Sequence, residues 1–146
     1  MIFLDIWQPG EVTEKDGSFA VLTMLEGMCS FAATAFLPQS ITSETLADAT
    51  FSTFFAHFGM PRLIVVDADS KFCGMFKVLF ENLGIPVEAV SKGNHKAIRN
   101  KRFRRYLNKV ETIKTADTDS YVQWKQGVVI AVDGWNAGPT DGMNIP

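Results

Sequence analysis

The sequence contains only two cysteines, Cys29 and Cys73, and two histidines, His57 and His95, with no histidine close to either thiol. That scarcity excludes a disulfide framework and a zinc module, since both need several such residues at short, fixed spacings. Isolated thiols among apolar neighbours read as reduced packing residues. No run of about twenty apolar residues, the length that crosses a bilayer, is present. Met1 leads directly into an apolar segment, with no basic stretch before it and no small-residue cleavage site, so no export signal is read. A soluble, intracellular chain with no membrane partner is expected. Internal repeats and low-complexity tracts are lacking as well.

The sharpest local deficit is acid. Between Lys92 and Lys109 stand eight cations, Lys92, Lys96, Arg99, Lys101, Arg102, Arg104, Arg105 and Lys109, without one aspartate or glutamate. The other six lysines and arginines face all sixteen acids, so the remainder carries −10 and the overall −2 conceals a +8 segment. A solvated helix face is the bland reading of such a run. Eight cations without an acid exceed it and point to a polyanion, with nucleic acid as the favoured partner.

With 146 residues, 47% of them hydrophobic, and twelve phenylalanines, the chain can build one domain with a substantial core. Residues Ile2 to Trp7 read as a strand, followed by turn chemistry at Pro9-Gly10 and Asp16-Gly17. Phe19 to Leu25 and Phe31 to Leu37 complete an antiparallel meander. The period then changes. Ala47, Phe51, Phe54, Phe55 and Phe58 keep helical spacing behind a Thr42 or Ser43 cap, and Gly59 with Pro61 ends that helix. Residues 63 to 67, LIVVD, form an unalternated apolar run, as in a strand buried on both faces. Phe72, Phe76, Leu79 and Leu83 mark a second helix closed by Gly84, and Pro86 to Val90 a further strand, giving a βαβ unit.

From about His95 the basic run becomes a helix with Phe103, Tyr106, Leu107, Val110 and Ile113 turned inward. Lys101, Arg105 and Lys109 lie four residues apart on another face. A last helix starts near Thr118 to Ser120, buries Tyr121, Trp124, Val128, Ala131, Val132 and Trp135, and stops at Asn136 to Pro139. This order predicts an α/β fold: a mixed five-stranded sheet, strands one to three antiparallel and four and five parallel, flanked by helices.

Within that order the acids have informative places. Asp5 lies inside the first strand, Asp67 closes the fourth, and a mixed sheet can set those strands side by side. Two adjacent carboxylates suit a divalent cation and phosphoryl transfer on nucleic acid. An aspartate at a strand end is more often an ordinary turn or capping residue, which is also the reading of Asp69, with a supporting role beside Asp67 as its alternative.

The segments FLDIWQPGE, DGSFAVLTM, TLADATFSTFFAHFGMPRLIVVDADSKF, LGIPVEAVSKGNHKAIRNKRFRRYLNK and WKQGVVIAVDGWNAGPTDG resemble, nearly end to end, the integrase catalytic core of retroviral-type LTR retrotransposon polyproteins. The resemblance implies an RNase H-like fold and 3′-end processing and strand transfer of DNA ends. Two aspartates and a glutamate holding Mg²⁺ or Mn²⁺ would perform them. Asp5 matches the first aspartate. Asp67 matches the second, with Ser70 and Phe72 in register with the family's D-x-x-S-x-F pattern and 61 residues separating the pair. Where the family has E-R-F, this chain has Lys101-Arg102-Phe103, with 33 residues between Asp67 and Lys101.

No nearby acid replaces that glutamate. Glu111 is ten residues further on, about 15 Å along a helix, and Glu88 belongs to the preceding strand. An ammonium beside two aspartates competes with a metal and can pair with Asp67. The resemblance therefore implies metal ligands Asp5 and Asp67 with weakened or absent Mg²⁺ or Mn²⁺. It also implies a DNA face of His95, Lys96, Arg99, Lys101, Arg102, Arg105 and Lys109, impaired catalysis, homo-oligomers and action in the nucleus. The zinc-binding and carboxyl-terminal modules that flank this core in the family are lacking, so the sequence reads as a fragment of a longer polyprotein. Three classes stay open: an active transferase with another third ligand, a non-catalytic DNA-binding or self-associating domain of transposon origin, and an unrelated α/β binding domain.

Overall fold

A computed structural model describes residues 1–8, 18–38, 40–67, 70–90, 98–109 and 121–138. Strand β1 (Ile2–Trp7) is central in a five-stranded sheet. On one side it pairs antiparallel with β2 (Ser18–Glu26), which pairs antiparallel with the edge strand β3 (Ala32–Pro38). On the other side it pairs parallel with β4 (Ile64–Asp67), which pairs parallel with β5 (Val87–Val90). The order is β3-β2-β1-β4-β5. This is the mixed sheet that the element order predicts, and Ala32 rather than Phe31 opens its third strand. The turn expected at residues 9–17 lies outside the described residues.

Both faces of β1 are covered, which explains its nearly continuous apolar sequence. Its even positions, Ile2 and Leu4, join Leu22, Met24, Ile64 and Val66 in a core under the helices α1 (Ser43–Thr50) and α3 (Met75–Asn82). The odd positions, Phe3 and Trp7, join Val21, Leu25, Val65 and Val90 under α4 (Ile98–Lys109) and α5 (Tyr121–Ala137). Period two along the strand therefore decides which helix layer each side chain meets.

Helix α1 begins with a reciprocal cap, the Thr42 hydroxyl accepting from Thr45 N–H while the Thr45 hydroxyl accepts from Thr42 N–H. It continues through a π-helical turn at Phe51–Phe55 into a short segment, α2 (Ala56–Phe58). The wider turn coincides with the burial of the consecutive rings of Phe54 and Phe55. Gly59, at φ +82°, stops the helix in a conformation that few other residues adopt. Helices α4 and α5 pack on each other through Phe103, Tyr106 and Trp135, and the Tyr106 hydroxyl donates to the Ala131 carbonyl at 2.8 Å. Burial raises the pKa of that hydroxyl. At the sheet edge, the Asn136 carboxamide accepts from Ala32 N–H and donates to Ala32 C=O, pairing backbone that would otherwise be open at the start of β3.

Three expectations need correction. Leu79 and Leu83, at 38% and 48% exposure, face outward, and the buried stripe is Phe72, Phe76 and Phe80. Steps of four residues run along one helix face, and the ring of Phe80 stacks on Phe51 at 5.2 Å and meets the tilted ring of Phe76 at 4.6 Å. Phe58, expected to be inward, is 52% exposed. Cys29 and Cys73 are exposed rather than packed. Val110, Ile113 and the start of the last helix near residues 118–120 lie outside the described residues. Among the described residues, no helix is long and apolar enough to cross a membrane.

The packing of α3 predicts that Phe80→Ala costs about 3–5 kcal/mol in urea unfolding. Leu83→Ala should cost less than about 1 kcal/mol. Equal costs would mean that the helix presents another face to the sheet.

Candidate functional site

The site follows from the sheet register. Phe3 pairs with Val65 and Leu4 with Val66, so one further step along the parallel strands sets Asp5 beside Asp67. Neighbouring strands lie about 4.8 Å apart, and residues directly across a parallel pair point to the same face. Asp5 shares its parity with Phe3 and Trp7, and Asp67 with Val65, so both carboxylates belong to the face covered by α4. Asp5 is buried and Asp67 is exposed.

Asp5 has well-defined partners. Its Oδ1 accepts from Ile6 N–H at 2.9 Å, and its backbone carbonyl accepts from the Thr23 hydroxyl at 3.2 Å. Its Oδ2 lies 3.4 Å from Nη1 of Arg104, whose Nη2 donates to the Ile6 carbonyl at 3.3 Å. One turn later along α4, the Asn108 side-chain oxygen accepts from the Trp7 indole N–H at 2.9 Å. Helix α4 thus advances along β1 with Arg104 and Asn108 on its sheet-facing edge, four residues apart, and Lys101 one turn earlier in the helix. Phe103 and Leu107, both fully buried, anchor it in the core, while Arg102, Arg105 and Lys109 are exposed.

No protein-family model and no curated protein sequence matches this chain. Solved structures do. A chain of the simian T-cell lymphotropic virus intasome in complex with PP2A regulatory subunit B56 gamma superposes with TM-score 0.72 at 14% identity, over 99% of this chain and 51% of that one. The catalytic core domain of BIV integrase superposes with TM-score 0.68 at 13% identity, over 93% of this chain and 82% of that one. The fold matches that of retroviral integrase catalytic cores. This chain spans about half the length of the intasome chain, and at such identities the likeness shows the fold alone.

Within this fold, the structure puts Asp5 and Asp67 on adjacent strands and Lys101 in α4, one turn before Arg104. Lys101 is half-buried, and among the described residues it forms no ion pair with either aspartate, contrary to the expected pairing with Asp67. A cation that meets Asp5 is Arg104, a member of the basic run that the sequence alone does not single out. Arg102, Arg105 and Lys109 are exposed on α4. His95, Lys96 and Asp69 lie outside the described residues, as do the side chain of Arg99 and Glu111. Glu88 sits in β5 opposite Val65, two residues short of the position beside Asp67.

Two neighbouring carboxylates are part of a donor set for Mg²⁺ or Mn²⁺, which prefer several oxygen ligands. Among the described residues no group of three or more acids, histidines or cysteines supplies the rest. A divalent ion at Asp5 Oδ2 would also meet the Arg104 guanidinium, a like charge within a few Å. Among the described residues, Asp5, Asp67 and Arg104 do not make up such a donor set. Elsewhere, at the opposite end of β1, burial acts to raise the pKa of Glu26, but hydrogen bonds from Cys29 and Met28 outweigh it and lower the value. Its hydrogen bond raises the Cys29 thiol pKa, so that thiol is not an activated nucleophile.

If Arg104 is the counter-charge of a buried aspartate, Arg104→Ala should lower stability by about 1–2 kcal/mol. Lys101→Ala should change it by less than about 0.5 kcal/mol. The reverse ranking in urea unfolding would assign the site to Lys101.

Proposed function

We propose that this chain is an integrase-type core of retrotransposon origin that binds DNA through α4 and has little or no strand-transfer activity. The observation that carries the reading is the Asp5–Arg104 ion pair inside an integrase-core fold. In a metal-dependent phosphoryl-transfer site, clustered acids hold cations that neutralise the phosphate and the leaving oxygen. Here α4 carries Lys101 where the family has its acid, and one turn later Arg104, whose guanidinium pairs with Asp5. That arrangement removes the electrostatic reason for a metal to bind while leaving the basic surface of α4 in place. DNA partnership, self-association and a nuclear site of action belong to the same proposal.

Binding should behave as a phosphate-backbone interaction. The affinity for a duplex oligonucleotide should fall steeply with salt, and Arg102→Gln, Arg105→Gln and Lys109→Gln together should flatten that dependence by up to about 0.9 for each phosphate no longer neutralised. A salt slope unchanged by these substitutions would remove α4 as the DNA face.

Catalysis provides an independent check. Joining of a transposon-end oligonucleotide with Mg²⁺ present should stay at background, and robust joining would refute the loss of activity. Lys101→Glu combined with Arg104→Gln restores an acid and withdraws the guanidinium. Calorimetry should then detect Mg²⁺ binding that the unchanged chain lacks. If the double variant gains none, Asp5 and Asp67 are not placed to hold a metal.

A further inference from the structure

We infer that the Arg104 guanidinium is itself a phosphodiester-binding group, taking a DNA backbone phosphate at the carboxylate site without a metal ion. The inference rests on the reading of the chain as a DNA-binding integrase-type core and assigns a ligand to the place where that reading removes the metal. Arg104 reaches the site from the middle of α4 and is 46% exposed, so one side of its side chain meets Asp5 while much of it remains open to solvent. Its two contacts are long. The separations of 3.4 Å to Asp5 Oδ2 and 3.3 Å to the Ile6 carbonyl exceed the roughly 2.7–2.9 Å of a tight charge-assisted hydrogen bond. Two contacts also leave part of a fork of five N–H donors available, and that planar fork matches the oxygens of a phosphate.

Charge supports the same assignment. Asp5 and Asp67 would repel a phosphate by themselves. Arg104 at Asp5 offsets them, and Lys101 with the exposed Arg102, Arg105 and Lys109 of the same helix adds positive potential. A phosphate brought to this edge meets fixed cations carried by the helix where an acid-lined site would need bound ions. Asp5 then acts as a positioning residue: it holds the guanidinium at the end of the strand and competes with the phosphate for it.

The test measures anisotropy of a labelled duplex oligonucleotide with the full chain, in EDTA and in Mg²⁺ at matched ionic strength. The two conditions should give the same affinity. Arg104→Gln should weaken binding about tenfold and reduce the salt slope by about one. Asp5→Asn, which relaxes the grip on the guanidinium and removes a negative charge, should tighten binding several-fold, an effect that damage to the fold would not produce. Inorganic phosphate should compete no better than its ionic strength explains.

A requirement for Mg²⁺, an unchanged affinity in Arg104→Gln, or weaker binding in Asp5→Asn would overturn the assignment. So would displacement of the DNA by phosphate beyond its ionic strength, which would mark a site for a free anion. Should Arg104→Gln bind normally while the Arg102, Arg105 and Lys109 variant does not, the inference fails and the DNA-binding reading stands. Absence of DNA binding by the unchanged chain would overturn both.

Discussion

The parallel pairing of β1 with β4 is the constraint from which the site follows. β1 is buried on both faces, apolar at Ile2, Phe3, Leu4, Ile6 and Trp7, and it carries one acid, Asp5. Sheet register places that acid next to Asp67, and strand parity turns both toward α4. A carboxylate removed from water needs hydrogen bonds and a counter-charge, or it destabilises the strand by several kcal/mol. The Ile6 N–H and Arg104 supply them. The interaction that makes Asp5 tolerable in the centre of the sheet is thus one with a cation carried by α4.

Its strength is modest. At the observed 3.4 Å the gross attraction is about 5 kcal/mol for an effective dielectric near 20, and desolvation of both groups offsets most of it. The half-exposed guanidinium can therefore keep Asp5 satisfied and still exchange partners with another anion. Helix α4 is held independently of this pair by Phe103 and Leu107 in the core, by Asn108 on Trp7 and by Tyr106 on the Ala131 carbonyl. The basic edge consequently has a firm platform whichever partner Arg104 takes.

Much of the fold is legible in the sequence because its signals are periodic. Alternation and apolar runs mark the strands, the Thr42 cap and Gly59 bound the α1–α2 helix, and turn residues separate the elements. Asp5 and Asp67 stand out because an acid in or at the end of an apolar strand is conspicuous. What escapes is helical phase. Leu79 and Phe80 are equally apolar, and only the tertiary contacts with Phe51 and Phe55 decide that Phe80 is the buried one. The same ambiguity hides Arg104. Five cations crowd residues 101 to 105 and 109 of α4, and identifying the one that meets Asp5 requires knowing how Phe103 and Leu107 set the helix's rotation. Cysteine exposure is not legible either, because apolar neighbours in sequence are not neighbours in space.

The central claim is that a side-chain cation, and not a metal, faces the paired aspartates. Anomalous diffraction from crystals of the chain grown in excess Mn²⁺ tests it most directly. The account predicts no anomalous peak between Asp5 and Asp67, with the Arg104 guanidinium within hydrogen-bonding reach of Asp5. A Mn²⁺ peak bridging the two carboxylates, with Arg104 swung away, would contradict it.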